Sequence, residues 1–260
     1  MEKVIVVKIG GATLGSHDTA LEDIVALQKQ GRQVLVVHGG GKVITEWLKK
    51  QGVETNFVRG ERVTDQPTLE VATAVLAGLV NKDIVAAVNN LGGKAAGISC
   101  VDGGIIRGKI AEKEKGFVGA VDKVDTTLLE TLLGAGFIPV ISTIGLNSVD
   151  KPADEPPTLN YNADVAAGEI AAAFGAEKLV FLTDVEGVGD ESGKLIKKLS
   201  PAEAGDLIES GVASSGMIPK IRACLKALSG GAKTCIIDGT KSHALLNEIE
   251  KGIGGTRIGE

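Results

Sequence analysis

Short β-branched runs alternate with helix-length amphipathic segments along the whole chain. Residues 4–9, 33–37, 137–144, 178–182 and 234–237 read as buried strands. Residues 20–30, 43–51, 68–90, 126–133 and 164–174 carry helical spacing between them. This alternation predicts an α/β protein, a three-layer α-β-α sandwich around a mainly parallel open sheet. Residues 98–125 break the pattern. Ser99-Cys-Val-Asp-Gly-Gly-Ile-Ile-Arg-Gly-Lys is a hairpin signal and predicts an antiparallel excursion. No repeat of fixed period is present. A boundary is expected near Gly175, dividing 1–175 from 176–260, and residues 152–157 form a rigid polar loop expected as a flap or surface segment.

Composition narrows the class. At 260 residues the chain can build one large or two small cores, and 36 glycines against 3% aromatics suit many tight turns. A net charge of −5 offers no general attraction for nucleic acid and no polybasic membrane patch. Cys100, Cys224 and Cys235 have no close partner in sequence, so buried thiols are expected rather than disulfides or a metal-binding pair. The chain enters a strand at once, without a signal-peptide pattern. The longest uncharged stretch, 131–149, is broken by Gly134, Gly136, Pro139 and Gly145 and reads as helix end, turn and strand. A soluble, cytoplasmic protein is expected.

Several polar clusters follow the predicted strands. Val4-Ile-Val-Val-Lys-Ile-Gly-Gly delivers Lys8 onto Gly10 and Gly11, where bare backbone and an ammonium can meet an anion. His38-Gly-Gly-Gly-Lys repeats the device before a helix, with Gly40 and Gly41 at its start. It is not a Walker A loop, because the glycine that loop needs at position 36 is valine. Gly60-Glu-Arg-Val-Thr-Asp places Arg62 in a glycine-flanked loop, able to grip a carboxylate, or else to sit in a surface ion pair beside a cap formed by Thr64 or Asp65. In Leu159-Asn-Tyr-Asn-Ala-Asp, the alternating Asn160, Asn162 and Asp164 share a face if extended, while Asp164 could equally be an N-cap. Thr183 and Asp184, with Gly187 close behind, stand at the carboxyl end of a buried strand, where open α/β sheets bind ligands. Ser214-Ser-Gly-Met-Ile-Pro-Lys puts Lys220 in a first helical turn, against the dipole, which hints at an anionic ligand.

Three histidines and no serine elbow argue against a hydrolase triad or zinc site. Lysines, an arginine, amides, an aspartate and glycine turns suit phosphoryl transfer, which asks a protein to position reactants and stabilise charge.

These motifs, in this order, resemble the amino acid kinase family. The resemblance extends through Leu76-Ala-Gly-Leu-Val-Asn-Lys, Gly116-Phe-Val-Gly and Gly254-Gly-Thr-Arg-Ile, and so covers nearly the whole chain. It implies the amino acid kinase or carbamate kinase-like fold. It is closest to the branch that uses ATP to phosphorylate the γ-carboxylate of N-acetyl-L-glutamate in arginine biosynthesis. By that resemblance Lys8 and Lys220 would flank the phosphoryl group, Asp164 would hold both lysines, and Gly10 and Gly11 would offer amides to phosphates. Gly40, Gly41, Arg62, Asn160 and Asn162 would bind the amino acid, with Arg62 on its α-carboxylate and Asn160 on its acylated end. Thr183, Asp184, Gly187, Ser215, Gly216 and Met217 would line the ATP site. ATP would arrive with Mg²⁺, whose shell is mostly phosphate and water, so no dedicated metal cage is expected. Residues 1–175 would form the amino-acid and dimerisation half and 176–260 the nucleotide half.

Three residues depart from the family pattern. Glu61 stands beside Arg62 where an apolar residue is usual, and could pair with its guanidinium. Tyr161 is bulky between two asparagines, and Ser215 replaces a residue often glycine or aspartate. Rival readings are a kinase for a carrier-linked aminoadipate or glutamate and a silent amino-acid sensor. The acidic net charge does not support the first, and the retained Lys8, Asp164 and Lys220 oppose the second. A homodimer is expected, because the first strand starts too early for the N-terminal helix of arginine-inhibited hexamers, although Ser242-His-Ala-Leu-Leu-Asn-Glu-Ile resembles their effector segment. A PII-type regulator is possible in the family but is not indicated by these residues.

Overall fold

The computed structural model describes residues 4–10, 19–58 and 61–259. The chain begins with β1 (Ile5–Ile9), α1 (Ala20–Lys29), β2 (Val34–His38) and α2 (Gly41–Lys50). A small hairpin, β3 (Phe57–Val58) with β4 (Glu61–Arg62), leads into α3 (Gln66–Thr73), a π-helical segment Ala74–Val80, and α4 (Asn81–Asn90). Next come β5 (Ala95–Cys100), β6 (Ile106–Ile110), β7 (Val118–Val124), α5 (Thr127–Gly134), β8 (Ile138–Asn147) and β9 (Thr158–Tyr161). The chain closes with α6 (Ala163–Phe174), β10 (Lys178–Thr183), β11 (Lys198–Leu199), α7 (Pro201–Glu209), α8 (Ile218–Ser229), β12 (Lys233–Asp238), α9 (Ala244–Lys251) and β13 (Thr256–Ile258).

One eleven-stranded sheet organises these elements, with β12, β10, β1, β2 and β8 paired in parallel at its centre. Antiparallel pairs occur between β6 and β7, β8 and β9, and β12 and β13. The expected hairpin forms, but not around Asp102-Gly-Gly. Gly103 (φ 62°) and Gly104 (φ 67°) instead shape a tight turn that carries the chain from β5 onward. β6 then takes up pairing with β8 at Leu146, just beyond the Cys100–Gly145 pair that ends β5. The antiparallel partner of β6 is β7, so the turn signal was real and its partner lay further along the chain.

Alternation along the central strands divides the core in two. Ile5, Val7 and Ile9 pack with α1, the long helical stretch and α9, while Val4 and Val6 pack with α5, α6 and α8 on the other face. The stretch Gln66–Asn90 is long and apolar enough to cross a membrane by length and composition, with mean hydropathy 1.7. Here its Leu76, Val80, Ile84 and Val88 are buried against the sheet. The 152–157 loop connects β8 to β9 and is pinned by Asn147, whose amide donates to Glu155 and to the Pro156 carbonyl, both at 3.0 Å. All three cysteines are buried free thiols.

Candidate active site

The geometry begins with the register of β1, whose neighbours are β2 on one side and β10 on the other. Chain order reverses across that strand, and such a switch point opens a crevice at the carboxyl ends of parallel strands. Lys8 stands at that end. Alternation places it on the Val4–Val6 face, toward α6 and α8. Gly168 lets those two helices approach closely, since a Cβ there would lie 2.7 Å from the Ala223 carbonyl oxygen. Asp164 in the first turn of α6 and Lys220 in the first turn of α8 therefore meet Lys8. Lys8 Nζ is 2.7 Å from Asp164 Oδ1, and Lys220 Nζ is 2.8 Å from Oδ2. Burial opposes ionisation of Asp164, but the Lys8 and Lys220 charges and hydrogen bonds outweigh it and hold the carboxyl below its usual value. Asp164 is not the cap of α6. Asn162 is, its Oδ1 accepting from the amides of Asp164 (2.8 Å) and Val165 (3.3 Å).

A cavity of about 200 Å³ opens on one side, lined by Gly39, Gly40 and Gly41, Arg62, Asn160, Asn162 and neighbours. Gly40 allows the π-helical segment to close over this loop, since a Cβ there would come within 2.7 Å of Leu76. Among the described residues Arg62 makes no ion pair. Its Nη2 donates to the Gly41 carbonyl (2.9 Å) and Thr45 Oγ1 (2.7 Å), and its guanidinium lies over the Phe57 ring. Its Nη1 is buried without a hydrogen-bond partner among the described residues, a donor left for an anionic ligand. The adjacent cap is Asp65, which accepts from Thr68 N at 2.9 Å. Asn160 donates to Thr64 Oγ1 at 3.2 Å.

A second cavity, of about 570 Å³, is lined by Thr183, Asp184, Gly187, Ser214, Gly216, Met217 and Lys220 among others. Thr183 spends its hydroxyl locally, donating to the Val185 carbonyl at 2.8 Å, whereas Asp184 is exposed in the cavity wall. Gly187 fits tightly against Thr256, whose Oγ1 would be 2.6 Å from a Cβ. Ser215 is exposed and does not line this cavity; Ser214 does. Gly10 follows Lys8 at the strand end, 3.9 Å from its ammonium as measured from a Cβ position. Gly11 lies outside the described residues.

Two of the unusual residues find their explanation in tertiary contacts. Glu61 does not pair with Arg62: its Oε2 is 2.5 Å from Lys115 Nζ, and its Oε1 accepts from Asn162 Nδ2 at 3.2 Å. Tyr161 is 2% exposed and its hydroxyl donates to the Leu146 carbonyl at 2.7 Å. Its ring fills space left by three glycines, because a Cβ on Gly119 would lie 2.4 Å from the ring, on Gly145 2.7 Å from it, and on Gly108 3.0 Å from the hydroxyl.

An amino acid kinase family model matches residues 3–238, nearly all of the site just described. The chain belongs to the amino acid kinase family. Among curated relatives, an acetylglutamate kinase of Dehalococcoides mccartyi is 48% identical over 255 residues, covering 98% of this chain and 94% of the relative. An acetylglutamate kinase of Nostoc sp. is 46% identical over 265 residues, covering 98% and 87%. Among solved structures, the smu.665 protein of Streptococcus mutans UA159 superposes with a TM-score of 0.84 at 28% identity, covering all of both chains.

Two site residues of this amino acid kinase, Thr45 and Lys115, carried no motif of their own. Thr45 accepts from Arg62, and Lys115 pairs with Glu61 from 54 residues away. His38 is buried under the glycine loop, donating from Nδ1 to the Gly39 carbonyl (3.0 Å) and accepting from Asn81 at Nε2 (3.1 Å). Asn81 sits in the Leu76–Lys82 motif, which was legible as a motif but not as a polar contact to His38.

Proposed function

We propose that this chain is an acetylglutamate kinase, moving the γ-phosphoryl group of ATP to the γ-carboxylate of N-acetyl-L-glutamate to give an acyl phosphate. The observation that carries the reading is the Lys8–Asp164–Lys220 cluster, whose Lys220 lines the 570 Å³ cavity while Ala163, beside Asp164, lines the 200 Å³ one. The acetylglutamate kinases matched along nearly the full chain support the choice of acceptor.

In this reading Lys8 and Lys220 neutralise the equatorial oxygens of the phosphoryl group in flight. Asp164, buried between them, keeps two like charges together and aimed. The acceptor carboxylate is already ionised, so no general base is required. Arg62 takes the α-carboxylate with its free Nη1, Asn160 and Asn162 orient the acylated end, and the Gly40–Gly41 turn cradles the acid at the start of α2. Gly10 presents backbone to the phosphates. Thr183, Asp184, Gly187, Gly216 and Met217 line the place for ATP, which enters as its Mg²⁺ complex. Residues 1–175 thus serve the amino acid and 176–260 the nucleotide, in a cytoplasmic homodimer that acts in arginine biosynthesis.

The test is ADP release from Mg-ATP with N-acetyl-L-glutamate, glutamate, aspartate and α-aminoadipate, trapping acyl phosphate with hydroxylamine. Hydroxamate formed with the N-acetylated acid alone is the expected result. No turnover of that acid by a folded enzyme that binds ATP would overturn the reading.

A further inference from the structure

Lys115 is a lysine kept from solvent, its side chain 8% exposed at the turn before β7. Its ammonium lies 2.5 Å from Glu61 Oε2 and 2.8 Å from Glu112 Oε1. Glu112 is the more solvated partner at 40% exposure, whereas Glu61 is 22% exposed and lines the acceptor cavity beside Arg62 and Asn162. The backbone fixes Lys115 against this wall, with Thr64 N donating to the Lys115 carbonyl (2.9 Å) and Phe117 N to the Thr64 carbonyl (2.7 Å).

A carboxylate in the wall of a small cavity attracts a cation, and charges so placed are screened far less than surface ones. The α-nitrogen of an amino acid is bonded to the same carbon as its α-carboxylate. If Arg62 holds that carboxylate, the nitrogen is delivered near the neighbouring Glu61. Free glutamate carries an ammonium there; the N-acetylated acid carries a neutral amide. Glu61 unpaired would therefore favour the wrong acceptor.

We propose that Lys115 is a specificity-determining residue, which by neutralising Glu61 denies the α-ammonium of free glutamate a counter-charge and so favours the N-acetylated acceptor. This rests on the acceptor assigned above. The two carboxylates that hydrogen-bond Lys115, Glu112 foremost and then Glu61, raise its pKa and keep it cationic at working pH. Glu61 itself remains useful, because it orients the Asn162 amide that caps α6 next to Asp164.

The experiment measures kcat/KM for N-acetyl-L-glutamate and L-glutamate, with L-glutamate also tested as a competitor, in the wild type, Lys115→Gln, Glu61→Gln and the double variant. Lys115→Gln is expected to raise the glutamate-to-acetylglutamate preference ratio at least about tenfold, since it exposes an unpaired carboxylate. Glu61→Gln should lower the ratio below wild type, and the double variant should return it close to wild type. An unchanged ratio in folded Lys115→Gln, or a ratio in Glu61→Gln that does not fall, overturns the proposal. Should Lys115→Gln not fold, Glu61→Gln and the double variant decide it. A wild type inactive on N-acetyl-L-glutamate would sink the functional reading itself; an active wild type whose ratios do not move sinks only the role of Lys115.

Discussion

Lys8 and Lys220 share one carboxylate, with Asp164 Oδ1 2.7 Å from the first ammonium and Oδ2 2.8 Å from the second. Lys8 and Asp164 are both buried, at 7% and 6% exposure, whereas the Lys220 side chain is 18% exposed. Replacing Lys220 by alanine leaves the Lys8–Asp164 pair intact while removing one of the two charges proposed to face the phosphoryl group. We expect kcat to fall at least about 100-fold with KM for either substrate changed much less. Steady-state kinetics with both substrates varied checks this, and an unchanged kcat removes Lys220 from the mechanism.

Asp164→Asn should behave differently, because it strands two ammonium groups rather than removing one. Breaking a buried pair costs about 3–5 kcal/mol, so thermal stability is expected to drop together with turnover. Denaturation followed by circular dichroism alongside activity tests the joint loss; full stability with lost activity would show that Asp164 does not hold the lysines.

Arg62 presents a planar fork, two of whose donor contacts are fixed on Gly41 and Thr45. Lysine cannot reproduce that geometry. Arg62→Lys is expected to raise KM for N-acetyl-L-glutamate at least about tenfold and leave KM for ATP within about twofold. A rise confined to ATP would place Arg62 on the wrong substrate.

Tyr161 should be structural despite its position between Asn160 and Asn162, which are proposed to bind the acceptor. Tyr161→Phe removes one buried hydrogen bond, at about 1 kcal/mol, with acceptor KM preserved. Gly119→Ala forces a methyl against the ring and should cost about 1–3 kcal/mol. Urea unfolding measures both; a Tyr161→Phe variant with altered acceptor preference would return the residue to the substrate.

His38 makes stability depend on pH. Its pKa is lowered from 6.5 to about 4, chiefly by burial, with the Lys8 and Lys82 charges adding and the hydrogen bond to Gly39 opposing. Below about 6.5 the unfolded chain takes up the proton first, so this contribution is complete above that pH and is lost as pH falls toward 4. The loss is on the order of 3 kcal/mol at most. Urea midpoints at pH 7 and 4.5 should therefore converge more in His38→Gln than in the wild type, and parallel slopes would reject the assignment.

Much of the fold was legible because buried parallel strands must be nearly continuous apolar runs. Residues 178–182 and 234–237 lengthened only to Lys178–Thr183 and Lys233–Asp238. The polar clusters were legible for a related reason: a lysine or aspartate at a strand end next to glycine has few structural uses. Lys8, Arg62, Asn160, Asp164 and Lys220 each kept a structural alternative when read alone, and only their order along the chain supplied the family. Local pattern could not decide partners. Strand alternation suggested that Asn160, Asn162 and Asp164 share a face, yet the chain turns helical at Ala163, so Asn162 becomes the cap and Asp164 reaches the lysines from a helix. The choice of Lys115 over Arg62 for Glu61 depended on the bridge between Thr64 and Gly116, a pairing of segments with no local signature. Likewise Tyr161 looked misplaced until Gly108, Gly119 and Gly145 were brought around its ring. Hydrophobic periodicity is a property of neighbours in the chain and was enough for the sheet and helices. Pairing of charges and filling of space are properties of neighbours in three dimensions, and these only the tertiary structure decided.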